Sequence, residues 1–282
     1  MVQTPTIAGD YTFDPFARHQ FYHDVNESLV RMAVRQLDAA TPPGQRVHVL
    51  ELASGTGAVT ELILNELDSC NRPATVTGVE PSFEAIDVAR ARLGDRDVSF
   101  AQGDIDRLVD IGKADAVFFC NAIHLVPDKR AVIDKIAGAL RPGGLFACNS
   151  SFFDGAYAPG SESFYHLWIR RALGWMRQHY PEVRTNRNAR TPAMQWLNVE
   201  QYTQLLAESK LKVVSCELER AMLPVRSWQD IGRYWLFIEG ALPGVPIPVG
   251  ADALEYGAAE AANELQITEV PRNWLQLVAQ LA

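Results

Sequence analysis

Residues 47–57 read Val47-His48-Val49-Leu50-Glu51-Leu52-Ala53-Ser54-Gly55-Thr56-Gly57, an apolar run that ends beside an acid and breaks into a glycine-bearing turn. Followed by helical spacing from Val59 to Leu67, it reads as a buried strand feeding a helix. The glycines let backbone pass close to a bound group, and the first helical turn offers unpaired N–H donors. Outward from here the alternation repeats. Ala74 to Val79 is a second apolar run and Phe83 to Leu93 a helical stretch. Val98 to Ala101 and Ala114 to Cys120 are further strands, Lys129 to Leu140 a helix stopped by Pro142-Gly143-Gly144, and Leu145 to Asn149 a fifth strand. Apolar strands alternating with helices describe an α/β fold: a doubly wound, Rossmann-like, mostly parallel sheet with helices on both faces.

Composition bounds the partners. At about 150 residues per domain, 282 residues give a prior of about two domains, and one elaborated α/β domain is the simplest reading. An apolar share of 48 % supports a large core, and 21 % charged residues is too few for a disordered chain. The net charge of −8 has the wrong sign for nucleic acid or an anionic membrane surface. No apolar run approaches the roughly 18 residues of a membrane span. The N-terminal stretch lacks the apolar core of a secretory signal. Cys70, Cys120, Cys148 and Cys216 are far apart and form no metal-ligand pair, so the expectation is a cytoplasmic protein with reduced thiols and no metal.

All six tryptophans fall beyond residue 150. Asn198 to Ser209 reads as a helix and Leu211 to Leu218 as a strand, while Trp274 to Val278 suits a last strand or a helix stub. The expected organisation is an N-terminal helical lid segment (1–44), a cofactor-binding core (45–150), a helical lid insertion (151–197) with a helix over Glu162 to Gln178, and a C-terminal completion of the sheet to seven strands (198–282) carrying a second lid insertion (221–265).

Glu80 ends the second strand, about where an acid binds ribose hydroxyls in dinucleotide folds. Gly103-Asp104-Ile105 follows the third strand, and Asn121-Ala122-Ile123-His124 the fourth. All lie at carboxyl ends of parallel strands, where open α/β sheets bind ligands. Glu51 to Gly57, Gly78-Val79-Glu80-Pro81-Ser82, Gly103-Asp104, Asn121 to Asp128 and Leu140-Arg141-Pro142-Gly143-Gly144 together resemble, in order and spacing, the motifs of class I S-adenosylmethionine-dependent methyltransferases. The likeness spans roughly residues 45–150. It implies S-adenosylmethionine as cofactor, with Glu51, Ala53 and Gly55 around its methionine part, Glu80 at the ribose hydroxyls, and Gly57 and Pro81 also among the cofactor-binding residues. It also implies Asp104 at the adenine amino group, Ile105 against the ring and Asn121 in backbone contact. Ala53 departs from the family's frequent glycine, and it fits if its φ stays negative. Structural roles compete: Glu51 as a partner of a helix cap, Asp104 as a turn former. A nicotinamide dehydrogenase is the natural rival, but the string Ala53-Ser-Gly-Thr-Gly-Ala lacks G-x-G-x-x-G, and Glu51 would repel a pyrophosphate.

The acceptor is expected to be a small, largely apolar or aromatic metabolite methylated at oxygen or carbon, since the Asn-Pro-Pro-aromatic pattern of nucleobase enzymes is absent. His124 is the candidate base. Tyr22, His19, Phe153, Tyr165 and Trp168 are candidate acceptor-lining residues from aromatic-rich segments. Arg170, Arg171, Arg177, Arg184, Arg187 and Arg190 could clamp an anionic head group or form a solvated face. A homodimer is compatible with this reading. The competing functions are a cofactor-binding regulator without catalysis and a methyltransferase of a macromolecular acceptor.

Overall fold

In the computed structural model, residues 11–186 and 196–282 are described. The strands β1 (Val47–Leu52), β2 (Ala74–Glu80), β3 (Val98–Gln102), β4 (Ala114–Cys120), β5 (Leu140–Ser150), β6 (Leu211–Pro224) and β7 (Glu269–Leu281) form one sheet in the order β3-β2-β1-β4-β5-β7-β6. The first five pair in parallel. β7 runs antiparallel to β5, from Leu145 opposite Gln280 to Ser150 opposite Leu275. Trp274 to Val278 is therefore strand, and the sheet closes antiparallel. The helices are α1 (Asp14–Ala17), α2 (Gln20–Ala40), α3 (Ala58–Ser69), α4 (Phe83–Leu93), α5 (Leu108–Ile111), α6 (Lys129–Ala139), α7 (Glu162–His179), α8 (Val199–Glu208), α9 (Val225–Gly232), α10 (Trp235–Ala241) and α11 (Ile247–Leu265).

Side chains alternate across a strand, and β1 feeds two cores. Leu50 and Leu52 join Val117, Phe119, Phe146 and residues of α6 and α8. Val47 and Val49 join Ala116, Phe118, Leu145, the α2 stripe Leu29-Val30-Ala33-Val34-Leu37 and α3. After β1 the chain steps outward to β2 and β3, then returns to place β4 on β1's other side. That reversal opens a crevice at the carboxyl ends of β1 and β4.

The chain divides into two compact units. One is drawn from residues 23–156, 195–219 and 274–282 and the other from 1–22, 157–194 and 220–273, as far as those residues are described. The first holds most of the sheet. In the second, α7 and α11 pack so closely that a Cβ on Gly257 would lie 2.7 Å from the Trp168 carbonyl. The N-terminal boundary expected at residue 44 falls at 22/23, because the apolar stripe of α2 belongs to the sheet's core.

Candidate functional site

Glu51 shares the face of β1 with Val47 and Val49, which turns it toward α3, and it is 2 % exposed. Thr60 of α3 donates its hydroxyl to the Glu51 carboxylate. Burial pushes the Glu51 carboxyl up to about 8; the Thr60 bond works against the shift and the nearby Glu80 charge adds to it. The expected cap role thus has a counterpart, since Glu51 is tied to the first turn of α3.

Ala53 has φ +53, in the left-handed region, so the expectation of negative φ is corrected. The Ser54 N–H donates to the Val79 carbonyl at 3.2 Å, pulling the turn against β2. Gly57, at φ +79, caps α3, and a Cβ there would lie 3.0 Å from that of Ala89. The Ser54 hydroxyl is buried with no hydrogen-bond partner among the described residues.

Glu80, at the end of β2, accepts the Gly55 N–H on Oε2 and the Ser82 N–H on Oε1, both at 3.0 Å. One carboxylate therefore stitches together the turns after β1 and β2, while its remaining lone pairs stay usable. Burial raises its pKa, and the two N–H bonds oppose the rise. Pro81 follows directly, and its carbonyl accepts from Gln102 at 3.2 Å. Asp104 is half-buried and caps the turn beginning at Ile105 by accepting the Asp106 N–H at 3.0 Å. It is a turn former, with Ile105 partly buried against the core.

Asn121, just past β4, has φ +53. His124 lies on the short 3-10 turn Ile123–Leu125, is 6 % exposed, and places Nδ1 3.0 Å from Ser150 Oγ. Its ring stacks on Phe152 at 4.5 Å. Lys129, itself buried, donates to the Val126 carbonyl at 2.9 Å and holds the turn from below. Thr60, Lys129 and Ser150 were not picked out from sequence, because only the folded register brings them to Glu51 and His124.

Glu51, Ala53, Gly55, Gly57, Glu80, Pro81, Asp104, Ile105, Asn121 and His124 all lie in the sheet unit, at or just past the carboxyl ends of β1 to β4. Phe153 is in that unit too, fully buried in the core with no exposed face. The other candidates belong to the helical unit. Trp168 is core there: 2 % exposed, donating Nε1–H to the Leu254 carbonyl at 2.7 Å. Tyr22 is buried beside Phe13 and Phe16. His19 Nε2 pairs with Asp230 at 2.7 Å. Tyr165 lines a cavity of about 310 Å³ with Tyr157, Glu162, His166 and Ile169. Arg170 and Arg171 pair with Glu264 and so resemble a solvated face, whereas Arg187 and Arg190 lie outside the described residues. Among the described residues no group of acidic, histidine and cysteine side chains could hold a metal, and no helix is long and apolar enough to cross a membrane.

Residues 49–144 match a family described as a methyltransferase domain. A highly reducing polyketide synthase of Gibberella zeae is 29 % identical over 125 residues, 38 % of this chain and 5 % of that protein. A fatty-acid O-methyltransferase of Mycolicibacterium smegmatis is 33 % identical over 100 residues, 35 % of each. The chain thus matches about a third or less of these relatives' length. A methyltransferase of Thiobacillus denitrificans, solved with S-adenosyl-L-homocysteine, shares the fold with a TM-score of 0.58 at 16 % identity, over 99 % of this chain and 100 % of that one.

Proposed function

We propose that the chain is a class I S-adenosylmethionine-dependent methyltransferase that methylates oxygen or carbon of a small, largely apolar acceptor; the match of residues 49–144 to a methyltransferase domain and the shared fold support this reading. The observation that carries the reading is the pair of buried carboxylates, Glu51 and Glu80, at the crevice beside β1. Each is raised by burial, and Glu80 raises Glu51 further, which a cationic ligand would relieve. S-adenosylmethionine fits this chemistry: it carries an ammonium, a sulfonium and a ribose diol. Glu51 would face the amino-acid end and Glu80 the diol, with Asp104 and Ile105 at the adenine and Asn121 in backbone contact.

When bound, the sulfonium supplies an already activated methyl group, so the protein's work is to align the acceptor in line with it and exclude water. An oxygen or carbon acceptor that took up the methyl group would give up a proton, which a base of this chain would receive. We assign that base to His124, which Ser150 and Phe152 hold in one ring orientation. That the Mycolicibacterium relative is a fatty-acid O-methyltransferase supports a fatty-acid-like or similarly apolar acceptor. The net charge of −8 argues against a nucleic-acid acceptor, and a cytoplasmic location and a homodimer remain parts of this proposal.

The test is methyl uptake from labelled S-adenosylmethionine into panels of fatty acids, aromatic acids and polyketide-like thioesters. The expected result is uptake into at least one class, with His124→Ala lowering turnover by about 10²-fold or more, as a lost general base does, while cofactor affinity holds. Cofactor binding with no uptake across the panels would instead favour a regulator without catalysis. An unaltered rate in His124→Ala would remove the base assignment.

A further inference from the structure

The turn after β4 is also held by a buried chain of amides. Asn26 of α2 is 0 % exposed and Asn149 of β5 is 1 % exposed. Trp274 Nε1 donates to Asn121 Oδ1 at 2.9 Å. Asn121 Nδ2 donates to Asn26 Oδ1 at 2.8 Å, and Asn149 Nδ2 donates to the same oxygen at 3.0 Å. Asn149 Oδ1 then accepts the Asn121 backbone N–H at 2.9 Å.

Two groups in this chain can only donate: the indole N–H of Trp274 and the backbone N–H of Asn121. Trp274 fixes which end of the Asn121 amide is oxygen, and the backbone N–H does the same for Asn149. Both Nδ2 groups are thereby turned onto Asn26, whose oxygen is their common acceptor. Flipping any one of the three amides would set donor against donor or acceptor against acceptor in a buried site, where a group without a partner is destabilising. The chain spans α2, β4, β5 and β7, and it closes on a residue held at φ +53, a conformation Asn tolerates but does not prefer. Asn121 itself stands three residues past Phe118, which pairs with Glu51 across β1 and β4. It therefore lies at the crevice where the strand order reverses.

We infer that Asn26 is a positioning residue: its carbonyl oxygen holds the Asn121 turn in the geometry that receives the cofactor. The inference rests on the cofactor reading above. It makes the N-terminal helix α2 part of the cofactor site through a residue that never has to touch the ligand. The sequence carries a signal for it, since Asn26 is the one polar residue on the buried stripe Val25, Asn26, Leu29, Val30, Ala33, Val34, Leu37.

The test is a double-mutant cycle read as affinity for S-adenosyl-L-homocysteine, on variants whose thermal unfolding shows them folded. Asn26→Ala should raise Kd about tenfold, the loss expected when a buried acceptor is removed. Asn121→Gly takes positive φ without help and has no side chain to anchor. In that background the same Asn26→Ala change should raise Kd less than about twofold, since coupled residues are non-additive. Trp274→Phe, which keeps the ring and deletes only the donor, should reproduce the pattern and serves if Asn26→Ala does not fold. With an acceptor in hand, the loss should fall on KM for S-adenosylmethionine and spare kcat at saturation. Kd within about twofold of wild type for Asn26→Ala, or an equal loss in both backgrounds, would overturn the inference while leaving the cofactor reading intact. Wild-type protein that does not bind the ligand would overturn both.

Discussion

Ala53 is held at φ +53 by a turn that the Ser54 N–H anchors to the Val79 carbonyl. Left-handed backbone costs an L-residue roughly 1–2 kcal/mol, and glycine escapes that cost while losing about 0.5–1 kcal/mol through a freer unfolded chain. Ala53→Gly should therefore be neutral or stabilising by up to about 1 kcal/mol in denaturant unfolding; a clear destabilisation would mean that the turn is unstrained. Glu51 predicts a pH dependence. Its folded-state carboxyl is raised from 4.5 to about 8, so the unfolded chain ionises first as pH rises. The ligand-free protein should lose stability progressively from about pH 4.5 to about 8, a slope that Glu51→Gln removes. A cationic ligand favours the ionised carboxylate, so affinity for S-adenosylmethionine should rise as pH approaches about 8 from below, with proton release seen as buffer-dependent binding heat. A flat profile would show that Glu51 does not face the cation. Glu51 and Glu80 were legible as acids at strand ends. The sign of φ at Ala53 was not, because a bond from another strand sets it. Nor could sequence tell that Phe153 and Trp168 are core, since an aromatic side chain fills a core and lines a pocket equally well.

Helix starts and stops were the most legible elements. Asn198 caps α8 through a reciprocal pair, Asn198 Oδ1 accepting from the Gln201 N–H at 2.8 Å and Gln201 Oε1 from the Asn198 N–H at 2.9 Å. Asn198→Ala should cost about 1 kcal/mol of stability and leave cofactor affinity unchanged, because the Asn198–Gln201 pair shares no hydrogen bond with the Glu80 carboxylate that joins the turns after β1 and β2. A shifted Kd in that variant would show that α8 has a part in the site. The helix stop at Pro142-Gly143-Gly144 was readable, but β5 already begins at Leu140 and runs through it. β6 likewise extends to Pro224, beyond the Leu218 that hydropathy marks, because Glu219 and Arg220 interrupt the apolar run while Ala221 and Leu223 beyond them are buried in the same strand. α2 was read as lid, although its apolar stripe belongs to the sheet's core. Amphipathic spacing shows that a helix has a buried face but not which element it meets.

At the scale of the whole molecule, the sheet unit was readable from sequence because its ligand-facing turns recur at fixed strand ends, each marked by Gly, Asp, Glu or Asn. The helical unit was foreseen only as an aromatic-rich composition, and its rings prove to pack largely on one another: Trp168 on Phe237, Trp228 on Tyr165. In the proposed site the turns after β1 and β2 bind S-adenosylmethionine through Glu80. Calorimetric titration of wild type and Glu80→Ala with S-adenosylmethionine and S-adenosyl-L-homocysteine tests it most directly. Wild type is expected to bind both, and Glu80→Ala to weaken both by about 1–3 kcal/mol, roughly 5- to 150-fold, as the ribose hydroxyls lose their acceptor. No binding by wild type, or equal affinity in the variant, would contradict it.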